Sequence, residues 1–282
     1  MKIIECPRDA WQGFHSFIPT DKKAAYLNQL LKVGFDTIDF GSFVSPKAMP
    51  QVSDTSQILG KLDFSGSTTS LLAIVANERG AAEACSFDQI RFLGYPFSIS
   101  ETFQLRNTNA TIRESLDRVK RISELCLKSE KELVIYISMG FGNPYGDPWN
   151  SEIVVEWVEK LSGLGVRIVS LSDTIGVANS EDITSLFTTI IPRHPHLEFG
   201  AHFHSNPLNW KPKIEAAYQA GCRRFDGAIL GYGGCPMAQD ELVGNMATER
   251  LIEFGIERNE CLTIDKESFA IARSMFMDLI NT

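Results

Sequence analysis

The chain has 282 residues, 44% of them hydrophobic, with a net charge of −8 and a pI near 5.2. This length supports a sizeable core, and the acidic balance excludes a general basic surface for nucleic acid or anionic lipid. No apolar run reaches the roughly 18 residues that a membrane span needs.

The opening, MKIIECPRDA, holds too short an apolar stretch for a secretion signal. It reads as a strand that begins at once. Six cysteines without a CxxC pair suit reduced thiols in a cytoplasmic protein. In chain order, short apolar runs fall at 2–6, 37–41, 70–77, 89–95, 133–139, 167–173, 197–204 and 223–230. Most are near-continuous, as expected of strands covered on both faces. Amphipathic helical segments lie between them: TDKKAAYLNQLLKVG from Thr20, NATIRESLDRVKRISELCLKSEK from Asn109, SEIVVEWVEKLSGLG from Ser151, SEDITSLFTTIIPRH from Ser180 and WKPKIEAAYQAGC from Trp210. Each starts near Ser, Thr, Asn or Pro, and several stop at Gly. No Ser- or Pro-rich linker divides the chain.

Eight β/α units in about 250 residues match a TIM barrel. The rival is a doubly wound open sheet, which the lack of GxGxxG after the first strand weakens. The expected architecture is therefore α/β: one (β/α)8 TIM-barrel domain over 1–282, with a C-terminal Gly-rich loop and short extra helices from Gly231 onward.

A TIM barrel carries its chemistry at the C-terminal ends of its strands. Here those ends hold Arg8 and Asp9, Asp39, Asn77, Asp173, and the pair His202 and His204; Cys235 and Asn245 follow the eighth run. Each residue also has an ordinary use. Asp9 or Asp173 could cap a helix, Arg8 could pair with Asp9, and Cys235 could be an inert thiol. Closure makes the seventh, eighth and first strands neighbours, which brings Asp9, His202, His204 and Asn245 together. Two imidazoles, a carboxylate and an amide oxygen suit Mg²⁺, Mn²⁺, Co²⁺ or Zn²⁺ with positions open to substrate. A closed structural zinc site does not fit a set without thiolate. Between Gly233–Gly234 and Pro236, Cys235 is expected to be exposed on a mobile loop. His194 and His196 precede the seventh run and are expected to be solvated on the opposite face.

These residues sit in longer matching motifs: PRDAWQ at 7–12, SFVSPKAMPQVSD at 42–54, SISETFQLRNTN at 98–109, SLSDTIGV at 170–177, HFH at 202–204 and GYGGCPMAQDELVGNMATE around Cys235. Nearly end to end, the chain resembles the 3-hydroxy-3-methylglutaryl-CoA lyase family of metal-dependent TIM barrels. The resemblance implies cleavage of 3-hydroxy-3-methylglutaryl-CoA, or a related 3-hydroxyacyl-CoA, to acetyl-CoA and acetoacetate. It implies a divalent cation, Mg²⁺ or Mn²⁺, on Asp9, His202, His204 and Asn245. Arg8 would bind substrate and stabilise the enolate oxygen, and Cys235 would transfer a proton from a closing loop. Asp39 and Asp173 would assist proton movement or hold Arg8. An acyl-CoA substrate and a homodimer complete what it implies; the composition and cysteines add a cytoplasmic protein with no nucleic acid and no membrane as partners. The relatives on the same barrel are 4-hydroxy-2-oxo acid aldolases and Claisen-type synthases, and a non-catalytic acyl-CoA- or metal-binding barrel is the third reading. The chain departs from the family pattern at Trp11, Asp39, Asn143 and Ser205, where Leu, Glu, Cys and Asp are usual. These changes are expected to reshape the pocket.

Overall fold

In the computed structural model, which describes residues 1–14, 16–234 and 243–280, the strands close into one parallel barrel. They are β1 (Lys2–Glu5), β2 (Thr37–Ser42), β3 (Ser70–Ile74), β4 (Ile90–Ser98), β5 (Glu132–Ser138), β6 (Ile168–Asp173), β7 (Glu198–Phe203) and β8 (Arg224–Gly227). They run in sequence order around the ring, and β8 pairs with β1 through Lys2–Arg224 to Glu5–Gly227.

The helices form where their local signals predict. Thr20–Val33 ends at Gly34, whose φ of 87° is the left-handed cap that only glycine takes without strain. Ile112–Lys128 starts with a reciprocal capping box between Thr111 and Glu114. Ser151–Ser162 and Ser180–Arg193 start at asparagines whose side chains accept from the third backbone N–H of the helix. Trp210–Gln219 completes the expected set. Four further helices, Pro7–Trp11, Thr55–Leu59, Glu78–Cys85 and Glu101–Thr108, fill segments with no long apolar period. The first changes the reading of PRD. Proline at the first helical turn stops β1 at Glu5 and starts a helix, so Arg8 and Asp9 stand on a helix rather than on the strand end. Two C-terminal helices, Thr248–Glu257 and Lys266–Ile280, follow the Gly-rich loop, and the second packs on Thr20–Val33.

Residues facing outward from the strands join the helices in one large core. The barrel interior is different. Leu72, Ile74, Phe92, Val134, Tyr136 and Ile168 form a smaller cluster toward β3–β6, while β7 and β8 send His202, Arg224 and Asp226 inward. His194 is buried, against the rings of Phe199 and His196. The expectation of a solvated His194 is thus corrected, because the turn before β7 folds it under the strand. His196 stays near the surface beside Ser162.

Candidate active site

A cavity of about 620 Å³ opens at the C-terminal ends of the strands. Its volume suits a small-molecule ligand. Phe14, Phe17, Val44, Met49 and Phe103 give it apolar walls. Arg8, Asp9, Tyr136, Ser172, His202 and His204 form its polar floor.

Ligand atoms of Asp9, His202 and His204 lie within 4.8 Å of one another. Burial and the neighbouring His202 push His204 down to about 4, so its ring is neutral and able to bind a cation. Burial alone would raise Asp9, but Arg8, His202 and His204 outweigh it and hold the carboxylate below its ordinary value. Asn245 bridges His204 through its backbone and donates from Nδ2 to Asp9 Oδ2 at 2.6 Å and to the Tyr232 carbonyl at 2.8 Å. One carboxylate, two imidazoles and an adjacent amide fit a divalent cation with room left for substrate oxygens. A second cluster, Cys6, His202 and Asp226, also falls within 4.8 Å. Burial keeps the Cys6 thiol far above its ordinary pKa, and Asp226 already bonds His202 Nδ1 at 3.1 Å. That group is a hydrogen-bonded support rather than a cation site.

Arg8 is clamped from two sides. Its Nε and Nη2 donate to Asp39, and its Nη1 donates to Asp9 at 3.1 Å and to Gln12 Oε1 at 3.0 Å. Gln12 Nε2 in turn donates to Asp9 Oδ1 at 2.7 Å. Of the five guanidinium N–H groups, one on Nη2 has no partner among the described residues. Asp39 does not line the cavity; it lies behind Arg8. Burial lifts it to about 6 against the pull of Arg8.

Asp173 is held elsewhere. Lys213 Nζ donates to its Oδ2 at 2.6 Å and to the carbonyls of Gly176 and His204 at 2.9 Å each, while Ala178 N donates to its Oδ1. The carboxylate therefore ties the β6 and β7 loops together and does not line the cavity. Cys235 lies outside the described residues.

The departures from the family pattern also sit outside the lining. Trp11 is fully buried beside Tyr26, at 6.4 Å between ring centroids. Asn143 organises its own loop through Tyr145 N and Asp147 N. Ser205 packs its hydroxyl against the Met246 sulfur at 3.6 Å. The expected direct reshaping of the pocket is corrected for Trp11, Asn143 and Ser205, which do not line it; Asp39 reaches the pocket only through its hold on Arg8.

The HMGL-like family pattern matches residues 2–266. The chain belongs to the HMGL-like family. Within that family it is 32% identical to hydroxymethylglutaryl-CoA lyase YngG of Bacillus subtilis over 254 residues, 87% of this chain and 81% of that protein. It is 31% identical to the cytoplasmic 3-hydroxy-3-methylglutaryl-CoA lyase of Rattus norvegicus over 256 residues, 89% of this chain and 73% of that one. Among solved structures, the HMG-CoA lyase of Bacillus subtilis superposes with a TM-score of 0.92 at 29% identity, covering 100% of this chain and 94% of that one. The HMG-CoA lyase of Acinetobacter baumannii, in complex with coenzyme A and 3-methylmalate, gives 0.91 at 29% identity, covering 99% and 91%. This HMGL-like chain is a carbon–carbon lyase built on the TIM barrel that its family shares.

Several supports of the site escape a reading of strand ends. Gln12 joins Arg8 to Asp9 from the next helical turn. Lys213 looks like a solvated helix residue but is buried. Asp226 was within reach: it is the acidic residue inside the eighth apolar run, and the register places it beside His202.

Proposed function

We propose that this HMGL-like lyase cleaves 3-hydroxy-3-methylglutaryl-CoA, releasing acetyl-CoA and acetoacetate by retro-Claisen chemistry. The carrying observation is the joint placement of a clamped arginine and an Asp–His–His cluster on one cavity floor, with Trp11, Asn143 and Ser205 outside the lining and Asp39 touching it only through Arg8. Asp9, His202, His204 and Asn245 would hold a divalent cation; their mixed nitrogen–oxygen, thiolate-free set accepts Mg²⁺ or Mn²⁺, the ions the family resemblance implies. When bound, the cation supplies Lewis-acid stabilisation of the C3 oxygen and orients the breaking bond.

The chain's own residues do the rest. Arg8 remains charged at any working pH, and its free Nη2 N–H meets the charge that collects on the thioester oxygen as C2 and C3 part. Asp39, Asp9 and Gln12 hold the guanidinium in place, so no reorientation is needed when that charge develops. Asp39 and Asp173 thus act as positioning residues, the first on Arg8 and the second, through Lys213, on the backbone of His204. As C2 and C3 part, the C3 hydroxyl gives up its proton to a base and becomes the acetoacetate ketone, and Cys235 would deliver the proton that converts the acetyl-CoA carbanion to acetyl-CoA. The apolar walls at Phe14, Phe17 and Met49 are suited to the thioester arm. The testing experiment is incubation of the Mn²⁺-loaded protein with 3-hydroxy-3-methylglutaryl-CoA. Acetoacetate release supports this reading, and no product refutes it.

A further inference from the structure

Beneath the cation ligands, the inward side chains of β5 to β8 stand in two rows set by strand register. In the lower row Tyr136 is beside Ser170, Ser170 beside Gly200, and Gly200 beside Arg224. In the row above, Ser172 is beside His202 and His202 beside Asp226. Arg224 and Asp226 are each only 2% exposed. A glycine at 200 is what lets the arginine fold inward, since a Cβ there would stand 3.1 Å from Arg224 Cδ and 3.0 Å from Ser170 Oγ.

Among the described residues, the two rows leave buried polar atoms without a hydrogen-bond partner: Arg224 Nε and Nη2, Asp226 Oδ1, and the hydroxyls of Tyr136, Ser170 and Ser172. Among the described residues, the guanidinium makes one long hydrogen bond, 3.5 Å from Nη1 to Glu198 Oε1, and faces the Phe92 ring at 5.8 Å. Unmet donors and acceptors are costly in a barrel core. Here they form a complementary set, with two charged donors, one charged acceptor and three hydroxyls able to do either. A buried water takes two to four such partners. Asp226 also has a second task. Its Oδ2 meets His202 Nδ1 at 3.1 Å, and an imidazole that donates from Nδ1 keeps Nε2 as its free lone pair.

We propose that water bound between Arg224 and Asp226 joins the two into a buried charge pair, and that this pair positions His202 with Nδ1 protonated and Nε2 presented to the cation. Arg224 and Asp226 are positioning residues, since they touch neither substrate nor cation. The inference rests on the metal-dependent reading above and adds how the barrel interior sustains it.

The decisive variant is the double substitution Asp226→Asn with Arg224→Met, which removes both charges together and leaves no lone buried ion to unfold the barrel. Titration calorimetry is expected to show Mn²⁺ binding weakened about 10–100-fold, the range for a lost outer-sphere partner of a histidine ligand. Nitrogen NMR of the metal-free protein at alkaline pH is expected to place the single His202 proton on Nδ1 in the wild type and to show a mixture of Nδ1 and Nε2 tautomers in the variant. A crystal structure is expected to show water within hydrogen-bonding distance of Asp226 Oδ1 and of Arg224 Nε or Nη2. Unchanged affinity together with an unchanged tautomer would overturn the positioning role, and a dry interior would overturn the water link. A wild type that binds no Mn²⁺ would refute the metal-dependent reading, and the tautomer would still decide the role of Asp226.

Discussion

Arg8 rests its guanidinium on Asp39, with Nη2 2.5 Å from Oδ2 and Nε 3.2 Å from both carboxylate oxygens. Asp39 is buried and Arg8 partly so, and among the described residues Asp39 bonds no side chain but Arg8. Replacing Arg8 by Gln keeps the contact with Asp39 but removes the charge at the thioester oxygen. It is expected to lower kcat by about 10²–10³-fold, the scale of a lost oxyanion donor, with Mn²⁺ affinity kept within a few-fold. Asp39→Asn leaves the charge but loosens its aim, and a smaller loss of about 10–100-fold in kcat is expected. Steady-state kinetics beside calorimetry separates the two effects. Equal losses in the two variants would show that Asp39 does more than hold Arg8.

Cys235 provides a chemical test of the final proton transfer. A hydroxyl at this position is a far weaker acid than a thiol, so Cys235→Ser is expected to lower kcat by about 10²–10⁴-fold, the usual contribution of a positioned acid. Metal affinity should not change. Full activity in this variant would remove the thiol from the reaction.

Lys213 and Asp173 form a buried ion pair, with side chains 3% and 0% exposed. Lys213→Met leaves the carboxylate buried without its counter-ion and strips a donor from the carbonyls of Gly176 and His204. Breaking such a pair costs about 3–5 kcal/mol, to be read as a lower urea midpoint. The double variant Lys213→Met, Asp173→Asn should recover part of that loss. A single variant as stable as the wild type would contradict the assignment.

Glu5 gives the fold a pH dependence. It is fully buried, accepts from Ile229 N at 3.0 Å and pairs with the Thr248 hydroxyl at 2.5 Å. Burial raises it to about 8 from 4.5. Between those values the folded state keeps a proton that the unfolded chain has released, so stability falls as pH rises, by up to ~1.4 kcal/mol per unit. Below the lower value the contribution is complete, and above the upper one it is gone. Glu5→Gln mimics the protonated acid, and is expected to flatten the decline in Tm across that window and to be the more stable protein at its alkaline end. Parallel Tm profiles for the two proteins would contradict this.

The barrel was legible because strands covered on both faces become continuous apolar runs, and all eight runs form strands. Ring closure then brought the ends of β7 and β8 beside Asp9, so the Asp–His–His cluster followed from strand order alone. The short helices Thr55–Leu59, Glu78–Cys85 and Glu101–Thr108 were not legible, since five to eight residues hold too little of the 3.6-residue period. The supports of the site were hidden for another reason. Lys213, Arg224 and Asp226 are charged, and charge in a sequence reads as surface. Only the register and the partner reveal that Asp226 faces His202 and that Lys213 is spent on Asp173. Trp11 erred in the opposite direction. Beside a ligand in sequence, it turns outward because successive residues of a helix face different sides.

The most direct measurement is acetoacetate release from 3-hydroxy-3-methylglutaryl-CoA during Mn²⁺ titration of metal-stripped protein, set beside calorimetric binding of the same ion. Activity should rise from zero and saturate with occupancy, and Asp9→Asn and His204→Ala should lose binding and turnover together, by more than the ~10–100-fold of an outer-sphere change. Turnover by the stripped protein, or none at full occupancy, would contradict the assignment of this chain as a metal-dependent lyase for that ester.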